Sequence, residues 1–171
     1  MSDNRKHQAY LEEALREAAK APDEVPVGAV IVQNGRIIAR AHNQREGADA
    51  DPFGHAEIIA MRQAAGKLGR RRLSDCTLYV TLEPCPMCAG AMLLAELGGC
   101  FFSAFDPVMG CCGSVYDLSQ DPAFPRHVPT AGGLLAAEAE VQLRAFFDAK
   151  RKAPAENKTP EQENGTDGFT R

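Results

Sequence analysis

A strand that runs directly into a helix in the middle of the chain sets narrow limits on the fold. Residues 76–82 (CTLYVTL) combine β-branched and aromatic residues and predict a strand. Apolar residues then recur at helical spacing from Pro86, and proline suits a first helical position because its missing N–H would have no partner there. The junction therefore predicts that Cys85 and Cys88 lie at a helix start, with both sulfur atoms leaning toward one point beyond it.

The rest of the chain alternates between strand and helix patterns. Two apolar runs flank Asn34-Gly35, a dipeptide that strongly favours a two-residue hairpin turn. Hydrophobic spacing predicts helices over 4–20, from His55 through Leu68, over 86–97 and over 134–150, and a strand over 100–105. Residues 106–133 are predicted to be loop with one short helix near 113–119. This order predicts one mixed sheet covered by helices on its faces.

Length and composition indicate one globular domain. The chain has 171 residues, enough to bury a core, and we assign residues 1–150 to the domain. Residues 151–171 are polar and contain proline, and we predict that they are disordered. No run of 18 or more apolar residues is present, which predicts no membrane span. The polar N-terminal segment is unlike a secretory signal, so a cytoplasmic location is the default expectation.

The cysteines and the net charge narrow the chemistry. Six irregularly spaced cysteines at this length indicate metal binding or catalysis in a reducing compartment rather than a disulfide scaffold. The net charge of −4 has the wrong sign for nucleic acid, so a nucleic-acid partner would have to meet a local basic patch. The candidates are Lys67 with residues 70–72, and Arg144 with residues 150–152, and both are equally consistent with a solvated surface.

A second helix start, in the segment DPFGHAEI (51–58), supplies further candidate ligands. If strand 76–82 and its neighbour are parallel, both helices begin at one edge of the sheet, where ligands tend to bind. We expect His55, Cys85 and Cys88 to converge there on one ion, with Glu57 beside it. Three protein ligands with an open fourth position are typical of a catalytic zinc site, in which a carboxyl group can carry the proton of the bound water.

The two motifs together, His-x-Glu and Pro-Cys-x-x-Cys, are similar to the signature of the zinc-dependent nucleoside and nucleobase deaminases. The resemblance implies that a zinc-bound hydroxide attacks an amidine carbon of a base and that ammonia leaves. It also implies that Glu57 shuttles protons to the ring nitrogen and the leaving group. The implied cofactor is Zn²⁺, one ion per subunit.

The resemblance extends beyond the metal motif, from about residue 8 to about residue 150. DEVPVGAVIV, HAEIIAMRQAA, LYVTLEPCPMCAGAM and FDPVMGCCGSVYDL resemble the bacterial tRNA-specific adenosine deaminases. This resemblance implies an α/β fold of the cytidine deaminase type, a three-layer α/β/α sandwich with a five-stranded mixed sheet, and a homodimer. The implied reaction is the hydrolytic deamination of adenosine to inosine at the wobble position of a tRNA anticodon loop.

Candidate substrate contacts follow from the same resemblance by position. Asn43 resembles the residue that hydrogen-bonds the target nucleotide, and its side chain suits a purine edge because it offers a donor and an acceptor together. Glu24, Val25 and Pro26 resemble the wall against which the flipped base packs. Asp106 resembles the residue that contacts the sugar of a neighbouring nucleotide.

Apolar departures from this family leave other functions open. The segment before His55 is Asp-Pro-Phe-Gly rather than the usual Asp-Pro-Thr-Ala, and Phe105, Val108 and Met109 replace residues that are charged or small and polar in many members. These changes are consistent with a deaminase of free nucleobases or nucleosides, of guanine or cytosine type, on the same scaffold. A non-catalytic zinc-stabilised binding module is a third alternative, which Glu57 disfavours because a structural zinc site has no use for an unligated acid.

Overall fold

The structure is a computed structural model that describes residues 2–46 and 50–152. In chain order its elements are α1 (Ser2–Ala18), β1 (Gly28–Gln33), β2 (Arg36–His42), α2 (Ala56–Leu68), β3 (Cys76–Leu82), α3 (Pro86–Leu94), β4 (Gly99–Ala104), β5 (Thr130–Gly132) and α4 (Ala136–Lys152). The predicted hairpin turns at Asn34-Gly35, where both residues have positive φ (49° and 74°) as such turns require. The strand predicted over 76–82 has the observed bounds of β3.

The five strands form one mixed sheet in the order β2-β1-β3-β4-β5. Strand β1 is antiparallel to both of its neighbours, β2 and β3, whereas β3, β4 and β5 run parallel to one another. The mixed sheet predicted from the sequence, and the five strands implied by the family resemblance, are therefore confirmed.

Helices cover both faces of this sheet. Helices α1 and α4 pack on one face, where Leu11 contacts Val30 and Tyr79. Along their strands, Val30 and Tyr79 alternate with residues that point to the opposite face. Helices α2 and α3 cover that opposite face, where Met92 belongs to the larger core cluster together with Leu78. This arrangement confirms the predicted three-layer α/β/α sandwich.

The topology brings the starts of α2 and α3 to the same edge of the sheet. Because β2 and β3 are both antiparallel to β1, they point in the same direction although β1 lies between them. Helix α2 follows β2 along the chain and α3 follows β3, so both helices begin beyond the carboxyl ends of their preceding strands. We call this side of the sheet the carboxyl-end side.

Helix α3 ends earlier than predicted, at Leu94 rather than at residue 97. The chain reverses at Glu96, which adopts a left-handed φ of 52°. Gly98 does not terminate the helix; a Cβ atom there would lie 2.4 Å from the Ser74 carbonyl oxygen, so it permits a close approach of two backbones. The spacing of apolar residues continues past the true end because these residues remain buried in the next turn and strand.

The prediction of a short helix near 113–119 is wrong. This stretch forms turns, in which the Gly113 N–H donates to the Tyr116 carbonyl and an isolated antiparallel bridge joins Cys112 to Asp117. Strand β5 was not predicted, because it has only three residues and pairs with β4 alone.

Among the described residues, no helix is both long and apolar enough to cross a membrane. All six cysteines are free thiols. Residues 151 and 152, the first two of the predicted disordered tail, continue helix α4. The remainder of that tail, residues 153–171, lies outside the described residues, so its disorder stays a prediction.

Candidate active site

Three side chains from two helix starts meet at the carboxyl-end side of the sheet. The His55 Nδ1 atom lies 3.6 Å from the Cys85 Sγ atom and 3.6 Å from the Cys88 Sγ atom, and the two sulfur atoms are 3.7 Å apart. Within the described part of the chain, these three residues form the group of candidate metal ligands, and no fourth acidic, histidine or cysteine side chain joins them. The group can therefore supply three ligands to one ion and leave one position open.

The dimensions of this triangle fit zinc. A tetrahedral zinc ion, with bonds of about 2.3 Å to sulfur and about 2.0–2.1 Å to nitrogen, separates neighbouring ligand atoms by about 3.5–3.8 Å. The three observed separations of 3.6, 3.6 and 3.7 Å fall in that range. Two thiolates and one imidazole are also a donor set that zinc prefers.

The local backbone explains why these side chains point beyond the helices. His55 is the N-cap of α2, with extended backbone angles (φ −73°, ψ 142°), and Cys85 is the extended N-cap of α3, followed by Pro86. Cys88 lies in the first turn of α3 and is fully buried. The unpaired N–H groups of both helix ends favour negative charge, which stabilises thiolates at this point.

The two thiols and the imidazole perturb one another strongly. A hydrogen bond from Cys88 lowers the pKa of Cys85 to about 4, and the same bond raises the pKa of Cys88 far above its usual range. The pKa of His55 is raised, chiefly by its hydrogen bond with Cys85. Two thiolates this close repel one another, and a bound cation would stabilise both of them.

Glu57 lies beside the ligand group without joining it. Its side chain is 3% exposed, and burial is the main cause that raises its pKa to about 7. Among the described residues its Oε2 atom has no hydrogen-bond partner. A buried carboxyl group that can hold or release a proton near neutral pH, with one oxygen free, is suited to general acid–base catalysis.

A cavity of about 350 Å³ opens over these residues, within the size range of small-molecule sites. His55, Glu57 and Cys85 line its floor. Of the five predicted substrate contacts, the cavity is lined by Val25, Asn43 and Asp106. The structure therefore brings these three together with the metal group.

Glu24 and Pro26 lie elsewhere, in a groove between the end of α1 and helix α4. The Glu24 Oε1 atom accepts a hydrogen bond from the Glu46 N–H at 2.5 Å. Val25, which lies between Glu24 and Pro26 in the chain, lines the cavity on the other side of this segment. The Glu-Val-Pro segment is thus a wall of which only the middle residue lines the cavity.

Asn43 connects this wall to the start of α2. Its Nδ2 atom donates to the Val25 carbonyl oxygen (3.2 Å), and its Oδ1 atom accepts from the Ala56 N–H (3.0 Å). Because Ala56 directly follows His55, the amide also fixes the position of the candidate ligand. Each polar atom of the amide retains capacity for one further hydrogen bond.

Replacing Asn43 with alanine is expected to weaken zinc binding about 10- to 100-fold, because a buried partner that orients His55 is lost. The dissociation constant for zinc is measured by competition with a chromogenic chelator. Thr81→Ala is the matched control, since it removes a buried side-chain acceptor from the Gly28 N–H but leaves α2 untouched. Equal zinc affinity in wild type and Asn43→Ala would contradict the positioning of His55 by this amide.

Glu83 is a residue of the cavity wall that the sequence reasoning did not single out. It is 2% exposed, lines the cavity and lies two residues before Cys85. The sequence contains one indication of its role: Glu83 is a lone acidic residue between a strand of mainly apolar residues and the Pro-Cys motif. Arg45 and Met109 also line the cavity and were not predicted as site residues.

Comparisons with known proteins agree with this geometry. The family model of the cytidine and deoxycytidylate deaminase zinc-binding region matches residues 4–104. The tRNA-specific adenosine deaminase of Bacillus subtilis (strain 168) is 48% identical over 145 residues, which cover 84% of this chain and 89% of that relative.

Solved structures show the same fold. One from studies of A-to-I editing by tRNA:A34 deaminases at the wobble position of transfer RNA matches with a TM-score of 0.75 and 39% identity, covering 79% of this chain and 99% of the other. Guanine deaminase from Nitrosomonas europaea matches with a TM-score of 0.72, covering 82% and 84% of the two chains. Its 22% identity limits that likeness to the fold.

Proposed function

Because the chain belongs to the cytidine and deoxycytidylate deaminase family, and within it to the tRNA-specific adenosine deaminases, we propose that it converts adenosine to inosine at the wobble position of a tRNA anticodon. The observation that carries this function is the convergence of His55, Cys85 and Cys88 beside the buried carboxyl group of Glu57, at one cavity. The net reaction consumes one water molecule and releases ammonia from C6 of the adenine.

We assign His55, Cys85 and Cys88 as ligands of one Zn²⁺ per subunit. When bound, the ion supplies an activated water molecule by lowering its pKa. The three side chains fix the position of the ion, and both helix N-termini stabilise the negative charge of the thiolates.

Glu57 is the assigned proton carrier. Among the described residues its Oε2 atom has no hydrogen-bond partner, so it can accept a proton from the attacking water. The same carboxyl group can then deliver protons to the ring nitrogen N1 and to the departing amino group. Burial supports this cycle, because it brings the pKa of Glu57 close to neutrality, where both protonation states are accessible.

The cavity walls suit a base that is displaced from its stack. Asn43 has one N–H and one lone pair left for the purine edge, and Val25 offers an apolar surface for its ring. Glu24 and Pro26 lie behind this wall, and we assign Asp106, which lines the cavity, to the sugar of a neighbouring nucleotide. An anticodon-loop nucleotide is already partly unstacked, which lowers the cost of placing it here.

The end of helix α4 is the basic surface that we propose for the RNA. Phe146 and Ala149 border the groove that contains Glu24 and Pro26, which flank the cavity residue Val25, so this part of α4 lies near the carboxyl-end side of the sheet. The last turn adds the exposed cations Lys150, Arg151 and Lys152, of which Arg151 pairs with Asp148. A basic strip beside the cavity meets the phosphate backbone despite the negative net charge of the chain.

The other basic cluster, residues 70–72, lies before the start of β3, at the opposite end of this strand from the cavity. Arg70 pairs with Asp75, and Arg71 and Arg72 both lie near the Glu96 carboxylate. These charges are partly neutralised and face away from the cavity, which favours a solvated surface for them over an RNA contact.

We also propose that the enzyme is a cytoplasmic homodimer. Leu94 on α3 and Phe124 in the segment between β4 and β5 are exposed and border one groove, an apolar surface that a second copy can cover. Sedimentation equilibrium distinguishes this dimer from a monomer. The cytoplasm is the compartment that keeps six thiols reduced.

The function is tested by offering the zinc-loaded protein an anticodon stem–loop with adenosine at the wobble position. A matched stem–loop with the adenosine one position further along, and free guanine, adenosine and cytidine, are the comparison substrates. Inosine in the wobble stem–loop alone is the expected result. Ammonia from a free base would identify a nucleobase deaminase, and no product with zinc bound would identify a binding module.

A further inference from the structure

Glu83 accepts four hydrogen bonds from the loop that follows β4. Its Oε1 atom accepts from the N–H groups of Cys112 (2.9 Å) and Ser114 (3.0 Å). Its Oε2 atom accepts from the Asp106 N–H (3.0 Å) and from the Ser114 hydroxyl. One buried carboxylate thus holds both ends of the segment 106–114, which we call the wall loop.

The wall loop forms one side of the cavity. Asp106 and Met109 line it opposite Val25 and Asn43. The Asp106 Oδ1 atom accepts from the Val108 and Met109 N–H groups, at 2.9 and 3.1 Å, so this turn moves as a unit with Asp106.

Glu83 also ties this loop to the metal group. It lies two residues before Cys85, and between them the Pro84 carbonyl accepts from the Cys111 N–H (2.9 Å). The loop therefore has its anchor on the same short segment that carries a zinc ligand.

A carboxylate in this place requires a reason, because burying a charge is costly. Among the described residues, no lysine, arginine or histidine forms an ion pair with Glu83. Gly110 leaves room for it, since a Cβ atom there would lie 2.4 Å from Oε2 and 2.5 Å from the Asp106 carbonyl oxygen. The four hydrogen bonds therefore need both the carboxylate of Glu83 and the space left by the missing side chain of Gly110.

We propose that Glu83 is a positioning residue for substrate: it fixes the wall loop relative to Cys85 and thereby sets the KM for RNA rather than the chemistry at zinc. This inference rests on the proposed function for its kinetic part. Asn43 and Val25 hold one side of the base, and Glu83 holds the opposite side through Asp106 and Met109.

The test is Glu83→Gln, an isosteric change that removes only part of the network. The amide oxygen can keep the two bonds to Cys112 and Ser114, while the new NH₂ group faces the Asp106 N–H, and two donors cannot bond. We expect the KM for the wobble stem–loop to rise about tenfold and kcat to stay within about threefold of wild type. Zinc content and the visible absorption bands of the Co²⁺-substituted protein should not change.

Amide hydrogen exchange gives a readout that needs no turnover. The Asp106 amide should lose protection in Glu83→Gln, whereas the Cys112 and Ser114 amides keep theirs. Glu17→Gln is the matched control, because Glu17 is also a buried carboxylate (5% exposed) but does not line the cavity and pairs with Lys20, Arg40 and His42. It should change neither KM nor the exchange of the wall loop.

An unchanged KM, a fall in kcat alone, loss of zinc or unchanged exchange at Asp106 would each overturn the proposal. If Glu83→Gln does not fold, Ser114→Ala decides, because it removes one donor and leaves the carboxylate in place. A KM increase of about threefold with full zinc content supports the proposal there, and an unchanged KM overturns it. A wild type that deaminates no RNA, with the exchange difference intact, would instead show that the proposed function fails.

Discussion

Glu57→Ala should retain one zinc ion per chain and lose deamination by about 10²- to 10⁴-fold, the usual contribution of a positioned general acid–base. Zinc is retained because Glu57 lies outside the group formed by His55, Cys85 and Cys88. Activity is lost because Glu57 is the assigned proton carrier. Its buried Oε2 atom has no hydrogen-bond partner among the described residues and is therefore available for proton transfer. Initial rates of inosine formation and zinc content by mass spectrometry check both parts.

The Glu57 variant should also fold normally. The wild-type carboxyl group is 3% exposed, and burial disfavours its charged form, so its removal takes away an unfavourable charge as well as some packing. Glu57→Gln keeps the shape and should lose activity to a similar extent, which separates proton transfer from packing. Glu17→Ala, a buried acid on α1, serves as the control with wild-type activity. Zinc loss in Glu57→Ala would show that this residue is a ligand.

Cys88→Ala should lose both zinc and activity. Cys88 is fully buried, and its Sγ atom is one corner of a triangle with sides of 3.6–3.7 Å, so no described residue can take its place. Two remaining ligands do not hold zinc in competition with water and chelators. The expected result is no detectable zinc after dialysis and no inosine.

Thermal unfolding gives an independent measure of the same loss. Binding to the native state stabilises a protein, so the wild-type Tm should fall when zinc is removed by a chelator. The Tm of Cys88→Ala should not respond to the chelator. Cys100→Ala is the matched control, because Cys100 is a buried cysteine in β4 away from the ligand group, and it should keep zinc and the chelator response. A Cys88→Ala protein with full zinc content would contradict the assigned ligand set.

The elements near the site were predictable because their signals are local. Pro86 marks the start of α3, and the Asn34-Gly35 turn marks the hairpin, each through the backbone angles of its own residues. The candidate ligands follow from spacings of two and three residues at such helix starts. We expected these ligands to converge if the strands before the two helices were parallel neighbours in the sheet. Those strands, β2 and β3, are parallel, but β1 lies between them.

The wall loop was not predictable in the same way. Its turns depend on the carboxylate of Glu83, which contacts Asp106, Cys112 and Ser114 across 23 to 31 positions of sequence. No local propensity of residues 106–117 encodes that partner, and a short helix was predicted there instead. The roles of Glu24 and Pro26 were not predictable for a similar reason. The sequence of the segment 24–26 does not show which of its three side chains lines the cavity.

The sequence by itself determined the chemistry of this protein: a histidine, two cysteines and a glutamate at two helix starts indicated a catalytic zinc site, and their resemblance to a family signature indicated deamination. It could do so because helix starts and short spacings depend on neighbours in the chain. Only the tertiary structure decided the shape of the cavity, the anchoring of one wall by Glu83 and the place of the basic end of α4. Those features arise where segments distant in the chain pack together, and buried hydrogen bonds between such segments leave no periodic trace in the sequence.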